Sequence, residues 1–295
     1  MFSLIRAEFT RLFRYKGFYI FLMIAFVINC FVGYAINDTF RNCDVLFLYM
    51  PVYFAFVASP FISLYVCRDF HDGTIRNKMI SGNSRASIFF SEFIVCFTAA
   101  FILQLLFWTY IFINMKLNNG KIVMSTVFIL KLMLCCTLIL AVYTALLVTA
   151  AMLIGSRASA VIWTFIAAII LTIGGSMISG KVENDNFERM KKDMGMADIF
   201  EENIMSDTER QVYVFFDDLL PMNQSIQLLT YTNEITIYDE KVDYGPEYNE
   251  VFKKETKVYK KKLKSKSTKF LFVDTVFIAV VAAFGVFSFR RKLLK

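Results

Sequence analysis

Six apolar runs, each near the length of a bilayer crossing, leave this chain few folds to choose from. They cover residues 17–36, 45–67, 93–115, a stretch that starts between Ile122 and Leu132 and ends near Ile154, 158–179 and 270–289. A hydrocarbon core of about 30 Å takes roughly 20 apolar residues as a helix, and in lipid each backbone N–H and C=O must be satisfied within the segment itself. The pattern predicts an all-α polytopic membrane protein with six transmembrane helices. Composition agrees: the chain is 57% hydrophobic with 33 Phe, against about 45–50% apolar in ordinary soluble domains. The first run is too long for the apolar region of a cleaved signal peptide, and no small-residue cleavage site follows it.

Orientation follows from Lys and Arg in the short connections. One face receives Arg6, Arg11, Arg14 and Lys16, the polar island 68–92, Arg157, and Arg290, Arg291, Lys292 and Lys295. The other face receives Arg41, Lys116, Lys121 and, if it snorkels outward, Lys131. The positive-inside rule puts both termini in the cytoplasm. The basic stretch 253–269 falls outside by this count, but it belongs to the long loop 181–269, and loops above about 60 residues cross largely regardless of charge. Segment 1–16 has Phe2, Ile5, Phe9, Leu12 and Phe13 at helical spacing among its cations. It reads either as an amphipathic helix on the inner leaflet or as a basic flank that sets orientation.

The island 68–92 lies between the second and third runs and is expected to sit in water beside the membrane. Asp72-Gly73-Thr74 reads as a turn into a helix, Ile75, Met79 and Ile80 recur at helical spacing, and Gly82-Asn83 reads as the stop. The result is a short amphipathic helix parallel to the membrane. Asp69, Gly73, Thr74, Ile75, Arg76, Asn77, Lys78, Ile80, Gly82, Ser84 and Arg85, with Met79 where leucine is common, resemble the first cytoplasmic loop of membrane subunits in the ABC-2 type transporter permease family, the type-2 ABC exporters. In such permeases that loop carries a coupling helix that docks on a separate ATPase subunit. The resemblance implies that Arg76, Lys78 and Arg85 would pair with ATPase carboxylates while Ile75, Met79 and Ile80 fill an apolar notch. It also implies a dimer, with an identical or a related second permease, served by two ATPase copies that bind ATP and Mg. The segment 221–229 with its approach also resembles a stretch before the last span of such permeases.

The segment 181–269 is expected to be an extracytoplasmic α+β or helical insertion. Residues 186–203 are charged and helix-prone, 212–216 resemble a short strand, Pro221 opens a helix through Leu229, 233–238 alternate like a strand, and Pro246 opens a final helix. Asn223-Gln224-Ser225 matches a glycosylation acceptor, a motif short enough to occur by chance. The domain reading is thus an N-terminal segment 1–16, spans one to five over 17–180, the outer domain 181–269, and the last span with a basic tail over 270–295.

Chemistry-bearing motifs are scarce. The sequence has no GxxxxGK[ST] and no HExxH, and its single histidine is His71. Cys30, Cys67, Cys96, Cys135 and Cys136 lie in or at the ends of apolar runs, and Cys43 stands in a predicted outer loop. That pattern argues against a disulfide framework and against a metal site. The +7 formal charge is spread over several loops and fits topology better than a nucleic-acid surface. The spans carry Asn29, Ser59, Pro60, Thr98, Gln104, Thr144, Thr149, Thr164 and Thr172. Such residues ordinarily hydrogen-bond between helices; the sharper reading for Asn29, Ser59, Pro60, Thr98, Gln104, Thr144 and Thr149 is a mildly polar translocation path. Pro60 and Pro51 are candidate kinks in the second span.

Together these features point to a non-enzymatic permease in a bacterial plasma membrane, exporting a hydrophobic or amphipathic substrate. Peptides such as bacteriocins or toxins stand ahead of drugs and lipids. The rival is a sensor or immunity protein that binds a peptide through its outer domain. A membrane-embedded enzyme is disfavoured by the missing catalytic groups, and no cofactor is expected on this chain.

Overall fold

The computed structural model describes residues 1–37, 43–117, 121–193, 204–239 and 246–291, excepting the side chains of 35–37, 43, 190–193, 237–239 and 246–253. Every regular element among the described residues is a helix. In order these are α1 (Phe2–Arg14), α2 (Lys16–Asn37), α3 (Cys43–Leu46), α4 (Met50–His71), α5 (Thr74–Ile80), α6 (Arg85–Leu117), α7 (Thr126–Ile154), α8 (Arg157–Asp193), α9 (Asp207–Leu219), α10 (Pro221–Asp239) and α11 (Pro246–Arg291). Six of them are long and apolar enough to cross a membrane: α2, α4 with its α3 lead-in, α6, α7, α8 and α11. These are the six runs of the sequence.

Helices α4 and α7 form the centre of the bundle. The most apolar window of α7 is 72% buried, whereas that of α8 is 17% buried and that of α11 is 22% buried. The outer helices therefore turn broad apolar faces outward, with Trp163, Ile170, Phe272 and Phe284 all exposed, as lipid-facing helices do. Inside, Phe54, Tyr65, Phe89, Phe107 and Tyr143 are fully buried. Gly285 of α11 allows close approach: a Cβ there would lie 2.6 Å from the Phe89 ring of α6 and 2.9 Å from Thr149 Oγ1 of α7.

The two prolines of α4 act differently. Pro51 occupies the first turn, where its missing N–H costs nothing, so it starts the helix and does not kink its outer end. Pro60 is internal and withholds the N–H that Phe56 C=O would accept. The Ser59 hydroxyl donates to that carbonyl at 3.4 Å instead.

Between the fifth and sixth runs the structure corrects the sequence. The expected strand at 212–216 is part of α9, whose N-cap Ser206 accepts the Glu209 N–H at 3.3 Å. The expected strand at 233–238 continues α10, with Thr232, Ile235 and Thr236 all buried. Every regular element among the described residues of this segment is a helix. Residues 194–203 of the predicted 186–203 helix lie outside the described residues, while its first part extends α8. The last span and the helix opened by Pro246 are one continuous 46-residue helix. Asn223, Gln224 and Ser225 are buried within α10, which closes them to a glycan.

Candidate functional site

The segment around α5 is built as expected at both ends. Gly73 takes φ 67 between α4 and α5, a left-handed conformation that glycine adopts without steric cost. The Thr74 hydroxyl donates to Asp69 C=O at 3.2 Å, tying the new helix to the old one. At the other end Gly82 takes φ 85. The Ser81 hydroxyl and the Asn83 side-chain amide donate to Lys78 C=O at 2.9 and 3.1 Å, satisfying a carbonyl of the last turn. Ser84 then caps α6, accepting the Ser87 N–H at 3.1 Å.

The island's charges do not all face water. Asp69, Lys78 and Glu92 are buried, and Glu8 of α1 joins them. Lys78 Nζ lies 2.6 Å from Glu8 and 2.7 Å from Glu92, and also donates to Asp69. Arg11 closes the cluster from the same helix as Glu8, donating to Glu8 at 3.0 Å and to Asp69. Burial works against the Lys78 charge, but Glu92, Asp69 and Glu8 outweigh it and hold its pKa above the ordinary lysine value. The same balance holds the Arg11 guanidinium fully charged, with burial opposed mainly by Asp69. The three carboxylates are close enough to share one metal ion. The Lys78 ammonium already occupies that centre, so the arrangement is an ion-pair lock joining α1, α4, α5 and α6.

Of the predicted docking residues, Ile75 is buried and Met79 packs partly against the core. Ile80 is 75% exposed, and Arg76 and Asn77 are exposed beside it. Lys78 turns inward, and Arg85 donates to the Phe289 and Arg290 carbonyls of α11 at 2.7 and 2.9 Å. The surface open to a partner is therefore Arg76, Asn77 and Ile80, not the full set Arg76, Lys78 and Arg85 with Ile75, Met79 and Ile80. Arg157 at the start of α8 pairs with Asp72 at 2.8 Å. The N-terminal helix, the island, Arg157 and the end of α11 thus meet at one end of the bundle.

Glu8 did not stand out in the sequence, and Glu92 counted there as one of the island's solvated charges, although each had a legible signal of burial. Glu8 lies midway in the Leu4, Glu8, Leu12 stripe of α1, and Glu92 follows Ile88 by one turn in α6; all of these are buried. An acid within an apolar stripe marks a buried pair awaiting its cation.

The polar span residues are dispersed. Asn29 donates to Ala25 C=O at 2.7 Å and accepts from Tyr53, and Gln104 accepts from Thr137 at 3.2 Å. Thr98 and Thr144 each donate to their own helix at 2.8 Å. Thr149 lies beside Gly285, and Ser59 repairs the Pro60 gap. Among the described residues no two of these seven are hydrogen-bonded to each other. The hydrogen bonds they make are local, within one helix or to a neighbouring one.

A second polar cluster occupies the opposite end. Asp217 accepts from Ser179 at 2.6 Å, Asn223 at 2.9 Å and Gln227 at 2.6 Å. Asp218 accepts from Lys266 and, at 2.5 Å, from Lys269 of α11.

Comparison of the chain with protein-family models, with curated proteins and with solved structures finds no match.

Proposed function

We propose that this chain is the membrane-spanning subunit of an ATP-driven exporter, with α5 as the helix that receives motion from a separate ATPase. The observation that carries the proposal is the mounting of α5. It sits on a connection between two candidate spans, is fixed from beneath by Lys78 in the Glu8, Asp69 and Glu92 cluster, and leaves Arg76, Asn77 and Ile80 outward. A short helix held this rigidly moves as a body with α4 and α6, so a push on its outer face would tilt both spans together. The island would face the cytoplasm, as would both termini, and 181–269 would lie outside the cell. ATP and Mg would be bound by the ATPase subunits, two copies serving a permease dimer. The cargo is a hydrophobic or amphipathic molecule, with peptides ahead of drugs and lipids.

The test is co-purification from native membranes in mild detergent. The full-length chain is expected to bring down a nucleotide-binding subunit. Ile80→Asp with Arg76→Glu should abolish that capture while leaving the melting temperature unchanged, because neither side chain takes part in the buried cluster. Recovery of the chain without any nucleotide-binding partner, or capture indifferent to both substitutions, would refute the docking role.

A further inference from the structure

The cluster that locks α5 also shapes a concavity next to it. This hollow, of about 640 Å³, opens where α1 turns into α2 and where α4 ends, lined by Arg11, Arg14, Tyr15, Lys16, Arg68 and Asp72 among others. Arg11 is committed to Glu8 and Asp69. Asp72, the one carboxylate lining the hollow among the described residues, is already shared by Arg157 at 2.8 Å and His71 at 3.0 Å. Arg14, Lys16 and Arg68 form no ion pair among the described residues. Arg68 keeps a coulombic attraction to Asp72, but that one carboxylate is outnumbered, and Arg14, Lys16 and Arg68 leave an excess of positive charge at the hollow.

Arg68 is held in place by aromatic faces. Its guanidinium carbon lies 4.6 Å from the centre of the Tyr15 ring and 5.0 Å from that of Tyr65. Such stacking fixes the planar group and leaves its N–H edges able to bind an oxyanion bidentately. Gly17 leaves room for the Tyr15 ring, since a Cβ there would stand 2.5 Å from it. The position in the bundle also matters: Lys16 begins the first candidate span and His71 ends the second, which puts the hollow at the level of lipid headgroups. Basic pockets between spans at that depth suit phosphate-bearing headgroups.

We propose that this hollow binds a phosphate ester, with Arg14, Lys16 and Arg68 as its ligands. The chemistry fits the headgroup of an anionic phospholipid or a small soluble phosphate ester entering from the aqueous side. Occupancy would tie the α1–α2 joint to the end of α4, next to α5. The proposal does not depend on the transport reading.

The experiment is native mass spectrometry of the full-length chain released from micelles holding phosphatidylglycerol and phosphatidylcholine in equal amounts. The chain should retain phosphatidylglycerol in preference. Arg14→Gln with Lys16→Gln, two exposed side chains with no ion-pair partner among the described residues, should cut that retention by about tenfold. A control removing the same charge elsewhere at this end, Arg6→Gln with Arg290→Gln, should leave it within the scatter of the parent. A second arm titrates glycerol 3-phosphate into chain held in neutral detergent. Pocket-dependent binding there, with no lipid preference, would support the site and assign it to a soluble ester. No preference and no soluble binding, or equal loss in both double variants, would overturn the proposal.

Discussion

Lys78 Nζ of α5 lies 2.7 Å from Glu92 Oε1 of α6, with both side chains buried. The pair joins two helices across a short connection that is also tied by backbone bonds, Gly82 N–H donating to Met79 C=O at 3.0 Å and Asn83 N–H to Lys78 C=O at 3.2 Å, so the charge contact adds to the register of the connection. Glu8 and Asp69 complete the shell around the same ammonium.

Lys78→Met removes the cation and leaves three carboxylates with Arg11 alone. Stranding buried charge in this way costs about 3–5 kcal/mol. The variant is expected to lose most of its yield of folded protein, and its melting temperature in detergent should fall steeply. Replacing the carboxylate as well, as in Lys78→Met with Glu92→Leu, should recover part of the loss, since a buried pair exchanged for apolar groups is often near neutral. Equal melting of Lys78→Met and the parent would show that the cluster is solvated.

How much of this was legible follows from the physics of each residue. The six spans were readable because about 20 consecutive apolar residues admit few alternatives, and α5 was readable because Gly73 and Gly82 punctuate it. The inward turn of Lys78 was not, because its partners come from α1, α4 and α6, and only tertiary packing brings them together. The strands expected at 212–216 and 233–238 failed for a local reason. A five-residue apolar run or six alternating residues cannot outweigh a helix that nothing interrupts, and no Gly or Pro separates Leu229 from Asp239. The Ser206-Asp207-Thr208-Glu209 capping pattern at the start of α9 was a readable signal for helix.

Gly285→Val tests whether α11 is seated on α6 and α7. The new side chain would meet the Phe89 ring and the Thr149 hydroxyl, both within 3 Å of its Cβ. Phe89 is fully buried and has no free direction to move, so overpacking should cost about 1–3 kcal/mol. Gly174→Ala, where nothing lies within 4 Å of the added carbon, is expected to leave the melting temperature unchanged. Matching effects from the two substitutions would contradict the close approach of α11.

Asp44 secures the opposite end of the bundle by accepting the Val123 and Met124 backbone N–H groups at 2.8 and 3.3 Å. Asp44 is buried, and so is Met124. Asp44→Ala therefore strands backbone donors, at a cost of about 1–3 kcal/mol. Hydrogen exchange at Val123 and Met124 should accelerate in this variant while amides of α5 keep their protection. Unchanged exchange at both positions would refute the cap.

Asp217 and Asp218 are adjacent but shifted in opposite directions. Burial raises the Asp217 carboxyl, overriding the hydrogen bonds from Ser179 and Asn223. Burial also pushes Asp218 up, yet hydrogen bonds from Lys266 and Lys269 outweigh it and the net direction is down. The signs for stability follow from linkage. The folded state holds the Asp217 proton longer than the unfolded chain does, so this group lowers stability as pH rises from about 4 through its folded pKa. Asp218 gives stability that is present above about 4 and is lost as pH falls through its depressed folded value. Asp218→Asn should therefore lower the melting temperature at neutral pH and flatten its decline in acid, while Asp217→Asn should flatten the component that falls as pH rises above about 4. Melting in detergent across pH 3 to 8 separates the two. A parent and an Asp218→Asn profile that run parallel throughout would show that Lys266 and Lys269 do not hold that carboxylate in its charged form.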